Sequence, residues 1–361
     1  MPECAQRVCW RFMALNAIAL TKQLVDIEST TYHEGACGEF LEAILASDGW
    51  AVERQPVEQP ELARTPGAGN GPRFNLYAAM DGVTPDVVFS THFDTVPPFL
   101  GPCREDDEFL YGRGVCDAKG ILAAQVAAAE RLRDEGVRVG MLFVVGEERD
   151  SAGAKVANEL ARDAKSRPRF LINGEPTDNR LALASKGCLR VELYATGKMA
   201  HSAYPELGDS AIDKLLAALR DVQALKLPVV EGIGETTMNV GLISGGRAPN
   251  VVADKAEAHI LVRLVGPAVE IREAVVRAVD GRCEVSFSLE LPLVKMRALD
   301  GFETMVAKFT TDVPSLTNWG EPFLLGPGSI HVAHTPDERI RKRELIDAVD
   351  LYIKLAKQLV G

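Results

Sequence analysis

Short apolar runs without polar alternation recur along this chain, and three of them lead to side chains that can bind a metal ion. They are residues 87–91 before His92, residues 141–145 before Glu147 and Glu148, and residues 170–172 before Glu175. Runs of this kind are typical of strands buried on both faces, which belong to parallel sheets covered by helices. Because the ligands of such sheets collect at the carboxyl ends of the strands, we expect these side chains to meet at one edge.

Segments with helical spacing or turn residues separate these runs in the first half of the chain. Helices are predicted at residues 17–27, 38–46 and 120–133, further strands at 50–57 and 75–80, and a proline- and glycine-rich loop at 60–72. The alternation of helix and strand from about residue 15 to 178 predicts a doubly wound α/β domain with a mostly parallel sheet.

Near Leu181 the pattern changes to amphipathic strands separated by helices. Strands are predicted at residues 189–196, 236–244, 256–265 and 283–289, and helices at 210–225 and 269–279. This βαββαβ order is typical of a ferredoxin-like α+β sandwich. After residue 291 the α/β pattern of the first half returns, with helices predicted near 302–309 and at 343–360. The prediction is therefore an α/β domain of residues 1–180 and 292–361, into which residues 181–291 are inserted.

Composition and charge limit the partners and the cellular location. The 361 residues carry a net charge of -11, which argues against nucleic acid or an anionic membrane as partner, because both require a basic surface. No apolar stretch approaches the roughly 20 residues of a membrane helix.

The start of the chain weakly imitates a secretion signal, but the spacing of Leu20, Leu24 and Ile27 favours an amphipathic helix. The seven cysteines include no Cys-x-x-Cys pair, which indicates a reduced, cytoplasmic protein.

Histidine and carboxylates without a thiolate form the ligand set of a hydrolytic dinuclear metal centre, and Asp117 within residues 112–120 adds a further acid. Two divalent ions about 3.5–4 Å apart lower the pKa of a bridging water and polarise a carbonyl group. In an extended segment Asp94 points to the same side as His92, so it can hydrogen-bond the second ring nitrogen. Of the neighbouring Glu147 and Glu148, one can bind metal while the other acts as general base.

Each of these residues also has an ordinary structural interpretation when taken alone. His92 could be a structural histidine at a strand end, residues 147–150 a solvated turn, and Glu175 an acid at a helix start. Their convergence at one predicted sheet edge favours the metal site.

Five segments, in this order, resemble the zinc metallopeptidase family of acetylornithine deacetylase, succinyl-diaminopimelate desuccinylase, aminoacylase and glutamate carboxypeptidase. They are residues 90–97 (STHFDTVP), 112–120 (GRGVCDAKG), 146–148 (GEE), 173–176 (NGEP) and 200–205 (AHSAYP). The resemblance covers nearly the whole chain. Residues 333–338 (AHTPDE) have the form found in the acetylornithine deacetylase branch.

The resemblance implies a centre of two zinc ions, for which cobalt can substitute. One zinc would be held by His92 and Glu175, the other by Glu148 and His334, and Asp117 would bridge them. His334 is preferred to the nearby His331 because it occupies the ligand position of the motif. Glu147 would be the general base, which later protonates the leaving amine. The peptide after the bridging aspartate is often cis in the family, so Asp117-Ala118 is a candidate for that bond.

The resemblance also implies a role for the inserted domain as lid and dimerisation domain of a homodimer, with residues 1–180 and 292–361 as the catalytic metal-binding domain. His201 matches a lid histidine that, in dimeric members, reaches into the partner's active site and stabilises the tetrahedral intermediate. Asn250 and Arg263 match positions that bind the substrate backbone or carboxylate.

The leading hypothesis is a zinc amidohydrolase that removes an acyl group, most simply acetyl, from an amino acid such as ornithine, as in arginine biosynthesis. The alternative is a metallo-exopeptidase, either a dipeptidase or a carboxypeptidase, because the same centre hydrolyses any suitably placed amide. A non-catalytic binding protein on this fold is expected to have lost Glu147 or a ligand, and none is lost. A phosphoryl-transfer enzyme would need a phosphate-binding loop, which the chain lacks.

Overall fold

The computed structural model describes residues 16–58, 71–162 and 167–361. The signal-like start and most of the loop predicted at 60–72 lie outside the described residues. The chain divides into two compact units. Unit 1 comprises the described residues up to Leu183 together with Met296–Met305 and Thr311–Gly361, and unit 2 comprises Ala184–Lys295 and Val306–Thr310.

Unit 1 contains helices packed on a central sheet. Its helices are α1 (Ala17–Val25), α2 (Gly35–Ser47), α3 (Lys119–Asp134), α4 (Ala152–Arg162) and α7 (Lys342–Val360). The strands of the central sheet are β1 (Ala51–Pro56), β2 (Phe74–Ala79), β3 (Val87–His92), β6 (Val139–Val144), β7 (Phe170–Asn173) and β17 (Glu321–Leu324). A small separate sheet is formed by β4 (Arg104–Glu105), β5 (Phe109–Tyr111) and β18 (Arg339–Arg341).

The central sheet has the strand order β1-β2-β6-β3-β7-β17. The pairs β6-β3, β3-β7 and β7-β17 are parallel, whereas β1-β2 and β2-β6 are antiparallel. Every residue of β3 is buried. Val87 and Phe89 join the core on one face, and Val88 joins the core on the other face, beside α4. The predicted α/β class with a mostly parallel sheet is confirmed.

Unit 2 contains an antiparallel sheet covered by two helices. Its main strands are β9 (Gly187–Thr196), β12 (Thr237–Gly245), β13 (Lys255–Leu264) and β14 (Glu284–Leu291), in the order β12-β13-β9-β14. The helices are α5 (Ala211–Gln223) and α6 (Ala268–Val279), whose apolar residues share one core with this sheet. The alternation of buried and exposed residues along β13 follows from one face meeting the helices. A short hairpin is formed by β10 (Val229–Val230) and β11 (Gly234–Glu235).

Three short strands form one further sheet. They are β8 (Leu181–Ser185), β15 (Val294–Lys295) and β16 (Thr304–Ala307), in the order β15-β8-β16. The helix predicted near residues 302–309 is therefore wrong, because this segment forms β16 instead. Its main chain pairs with β8, as in the hydrogen bond of 2.8 Å from the Leu181 N–H to the Glu303 oxygen.

Helix α4 is an element that the sequence pattern did not reveal.

Among the helices of the described residues, none combines the length and the apolar character that a membrane span requires.

Candidate metal centre

The central sheet brings the predicted strand-end residues together. His92 is the last residue of β3, Glu147 and Glu148 follow β6, and Glu175 follows β7. Since β6 and β7 are the two parallel neighbours of β3, their carboxyl ends flank His92 on both sides. Asp117 lies two residues before α3, the helix that packs on β3 and β6.

Two groups of side chains have ligand atoms close enough to share a cation. His92, Asp117 and Glu175 form the first group, and Asp117, Glu148 and His334 form the second, each with its ligand atoms within 4.8 Å of one another. Nε2 of His92 lies 3.1 Å from Oδ1 of Asp117, and Nε2 of His334 lies 3.3 Å from Oδ2. Each oxygen of Asp117 thus faces a different histidine, which is the arrangement expected of a bridging carboxylate.

The donor set and its surroundings fit divalent cations. Both groups consist of imidazole and carboxylate groups, which suit zinc and similar ions. Oε1 of Glu175 is buried and has no hydrogen-bond partner among the described residues, so it keeps lone pairs free for a cation. Hydrogen bonds with Asp117 and Glu148 raise the pKa of His334 to about 10. Without a cation the histidine therefore holds a proton, which a metal ion would displace.

Glu147 and Glu148 differ in their surroundings although they are neighbours. Oε1 of Glu148 lies 2.9 Å from Nε2 of His334, and Glu148 belongs to the second group. Glu147 belongs to neither group. Burial and the nearby carboxylate of Glu175 raise the pKa of Glu147. A carboxylate beside the ligands, with a raised pKa, is suited to accept a proton from an attacking water.

Asp94 lies beside the ring of His92 with both its main-chain carbonyl group and its carboxylate. Nδ1 of His92 lies 2.8 Å from the main-chain oxygen of Asp94 and 3.5 Å from its Oδ1. The Asp94 carboxylate accepts hydrogen bonds from the main-chain N–H groups of Glu147 at 3.1 Å and Glu148 at 3.4 Å. Asp94 therefore orients the glutamate pair as well as the histidine.

Residues without a recognisable motif support this arrangement. The hydroxyl of Thr31 donates a hydrogen bond of 2.8 Å to Oδ2 of Asp94, and the hydroxyl of Ser29 donates one of 2.6 Å to the main-chain oxygen of Phe93. Asp312 is buried, and burial raises its pKa to about 6. Thr31 and Ser29 lie 63 and 64 residues from these partners, so no local pattern could identify them. The Asp117-Ala118 peptide is cis, as the resemblance predicted.

The remaining predicted residues lie in unit 2. His201 is exposed, and its Nδ1 accepts a hydrogen bond of 3.1 Å from the Ala203 N–H. The Asn250 main-chain oxygen accepts one of 3.0 Å from the Ser202 N–H, so the segments of His201 and Asn250 adjoin. Arg263 on β13 donates a hydrogen bond of 3.2 Å from Nη1 to the Thr310 hydroxyl. The substrate-binding and catalytic roles of these residues stay predictions.

Comparison with known proteins assigns the chain to the metal-dependent hydrolases of amide bonds. The model of peptidase family M20/M25/M40 matches residues 88–358, and the chain belongs to this family. A protein of Aspergillus terreus named "Probable carboxypeptidase" is 39% identical over 372 residues, covering 94% of this chain and 85% of its own. The family resemblance inferred from the motifs is confirmed.

Solved structures of low sequence identity share the fold. A tripeptidase of Staphylococcus aureus has a TM-score of 0.75 at 22% identity, with 96% of this chain and 98% of that chain covered. An M20 family metallo-carboxypeptidase of Sulfolobus solfataricus has a TM-score of 0.74 at 16% identity, with 95% and 99% covered. The likeness extends over both units of the chain.

Proposed function

We propose that this protein is a dinuclear metallo-exopeptidase that releases the C-terminal amino acid from a small peptide. The observation that carries this proposal is the pair of ligand groups that share Asp117, with Glu147 beside them and outside both. The carboxypeptidase name of the Aspergillus terreus relative supports the choice of the C-terminal bond.

The proposed centre contains two zinc ions, for which cobalt can substitute. His92 and Glu175 would hold one ion and Glu148 and His334 the other, and Asp117 belongs to both ligand groups. When bound, such ions lower the pKa of a water molecule and polarise the scissile carbonyl group.

The residues of this chain then supply positioning and proton transfer. Glu147 accepts the proton of the attacking water and delivers it to the amine nitrogen as the C–N bond breaks. Asp94 holds the main-chain N–H of Glu147, which fixes the base beside the reacting atoms. His201 is proposed to stabilise the tetrahedral intermediate, and Asn250 and Arg263 to bind the substrate backbone or carboxylate.

A second candidate is the hydrolysis of N-acyl amino acids, with N-acetylornithine as the model substrate. The sequence Ala333-His334-Thr335-Pro336-Asp337-Glu338 favours it, because it has the form found in the acetylornithine deacetylase branch. Both candidates cleave an amide whose nitrogen belongs to an amino acid with a free α-carboxylate. They differ in the acyl side, which is either a peptide or a small acyl group.

A substrate panel with zinc- or cobalt-loaded protein tests the proposal. It covers dipeptides, tripeptides, the same peptides with an amidated C-terminus, N-acetylornithine, N-acetylcitrulline, other N-acetyl amino acids and N-succinyl-diaminopimelate. We expect the highest kcat/KM on free peptides, and a loss of at least about tenfold on amidation because the carboxylate contact is removed. Highest kcat/KM on an N-acetyl amino acid would favour the second candidate, and equal hydrolysis of amidated peptides would reject both.

We also propose that the protein is a homodimer formed through unit 2. The edge strand β12 exposes Leu242 and Ile243, with 64% and 55% of their surfaces accessible. An exposed apolar edge strand is a site for pairing with another chain. Sedimentation velocity should show a dimer, and Leu242→Glu combined with Ile243→Lys should shift it to monomer. A wild-type monomer at micromolar concentration would contradict this proposal.

A further inference from the structure

We infer that Glu338 is a positioning residue that holds the second ligand group, formed by Asp117, Glu148 and His334. The inference rests on the metal centre of the proposed function. Glu338 holds together two distant segments of unit 1, namely the loop of residues 112–117 and the turn of residues 334–338.

The carboxylate of Glu338 accepts hydrogen bonds from main-chain N–H groups of the loop that carries Asp117. Its Oε1 accepts hydrogen bonds from the N–H groups of Gly114 at 2.9 Å, Cys116 at 3.1 Å and Asp117 at 3.2 Å. Its Oε2 accepts a hydrogen bond of 2.6 Å from Nη1 of Arg113. Glu338 is 1% exposed, so these charge-assisted bonds form away from water, where they are strong.

Two further hydrogen bonds join the same segments, again with donors in the loop and acceptors in the turn. The N–H of Gly112 donates to the main-chain oxygen of Glu338 at 3.1 Å. Nη1 of Arg113 also donates to the main-chain oxygen of Thr335 at 3.3 Å. The residue next to His334 and the residue four positions after it are therefore both anchored to the loop that ends at Asp117.

The first ligand group is held differently. His92 and Glu175 come from the paired strands β3 and β7, and the N–H of Gly174 donates to the Ser90 oxygen at 2.7 Å. The Thr91 hydroxyl donates to the Gly174 oxygen at 2.9 Å. The central sheet thus fixes these two ligands, and within the first group the loop held by Glu338 carries Asp117 alone.

His334 has no such support from the sheet. It lies in a turn with a φ of 64°, and 48% of its side-chain surface is exposed. Its ring contacts Asp117 and Glu148, the other members of its own group. The position of His334 relative to Asp117 therefore depends on the main chain that Glu338 and Arg113 hold in place.

The test measures the binding of each metal ion to the metal-free protein. Glu338→Gln keeps the shape of the side chain but removes the charge that the three N–H groups and Arg113 share. We expect the affinity for the second zinc ion to fall about 10–100-fold, as is typical when a residue supporting a metal ligand is lost. The affinity for the first ion should fall less, because the central sheet still holds His92 and Glu175. Titration calorimetry with zinc, and the visible absorption of cobalt, report the two binding events separately.

Asp337→Asn is the matched control, because it removes the same charge one position earlier from an exposed side chain. It should bind both ions like the wild type. If Glu338→Gln fails to fold by circular dichroism, Arg113→Lys takes its place, because lysine keeps the charge but not the planar fork that reaches both Glu338 and Thr335.

The outcomes separate this inference from the proposed function. A Glu338 variant that binds both ions with wild-type affinity overturns the inference and leaves the metal centre intact. An equal loss of affinity at both sites also overturns it, because the positioning would then not be selective. A wild-type protein that binds fewer than two ions overturns the proposed centre itself, and the inference with it.

Discussion

Two adjacent glutamates in this site have the same chemistry but different partners. Glu148 contacts His334, whereas Glu147 lies outside both ligand groups and has a pKa raised by burial. The residues themselves predicted only that one of the pair binds metal and the other acts as base. The family resemblance assigned the roles of base and ligand, which stay predictions for the folded chain.

Replacement of Glu147 by glutamine should remove the base and leave the metal ligands in place. We expect kcat to fall by about 10²–10⁴-fold with both ions still bound, because an amide cannot accept the proton. Two measurements check this prediction: the turnover of the variant, and its metal content by atomic absorption. Glu148→Gln should instead weaken the binding of one metal ion. A Glu147→Gln variant that keeps wild-type turnover would reject Glu147 as the base.

Thr31 supports the site through Asp94. Thr31→Val keeps the shape but removes the hydroxyl that donates to Oδ2 of Asp94 at 2.8 Å. We expect the free energy of unfolding to fall by about 1–3 kcal/mol, because a buried carboxylate oxygen loses the nearer of its two hydrogen-bond donors. We also expect a loss of kcat.

Thr21→Val is the control for this prediction, since the Thr21 hydroxyl is also buried but bonds within α1, to the Ala17 oxygen at 2.6 Å. It should affect stability in urea without affecting kcat. Equal kcat in the two variants would show that Thr31 does not act through Asp94.

At the scale of elements, the pattern of buried runs was sufficient to predict the strands that carry the site. β3, β6 and β7 are uniformly buried, and uniform burial leaves an unbroken apolar run in the sequence. The pattern failed at residues 302–309, where the predicted helix is β16, because pairing with β8 decides the conformation there. It also missed α4, an element whose buried positions are Gly153, Ala154 and Ala157. Such small residues carry a weak hydrophobic signal.

Helix α3 packs so closely on Gly174, at the end of β7, that a larger residue cannot fit unless neighbouring atoms shift. A Cβ atom at this position would lie 2.3 Å from Cγ2 of Ile121 and 2.6 Å from Nε2 of Gln125. We expect Gly174→Ala to lower the free energy of unfolding by about 1–3 kcal/mol through overpacking. It should also weaken binding of the first metal ion, because Glu175 is the next residue.

Gly266→Ala serves as control, since a Cβ there meets no atom within 4 Å. Denaturant unfolding and zinc titration measure the two effects. Unchanged zinc affinity in a destabilised Gly174→Ala protein would show that the backbone shift does not reach Glu175.

At the scale of the whole molecule, the chain leaves unit 1 and returns to it at neighbouring positions. The Met296 N–H donates to the Leu183 oxygen at 2.9 Å, and Ala184 pairs with Lys295 in an antiparallel ladder. The sequence predicted an insertion from the change of pattern near residue 181. It could not predict contacts such as that of Glu338 with Gly114, which are 224 residues apart and leave no local signal.

This connection allows unit 1 to be tested without the larger segment of unit 2. Replacing Ala184–Lys295 with Asn-Gly should join Leu183 to Met296 through a tight hairpin turn. We expect the shortened protein to fold and to bind two ions with wild-type affinity, because all ligand residues belong to unit 1. Circular dichroism and zinc titration check this.

Turnover of the shortened protein should fall by at least about 10²-fold, because it lacks His201, the residue proposed to stabilise the tetrahedral intermediate. His201→Ala in the full chain is the matched variant, with both ions retained. Loss of zinc binding from the His201 variant would contradict the role proposed for this residue.

The ligand groups contain oxygen and nitrogen donors only, and the nearest cysteine in sequence, Cys116, is buried with its thiol directed to the Ser329 oxygen at 3.4 Å. Without sulfur, the site has no soft donor with which to separate zinc from cobalt or manganese by chemical preference. The identity of the bound ion would then follow from which divalent metal the cell keeps available while the chain folds. Recombinant protein should accordingly change its metal content with the growth medium while its fold stays the same.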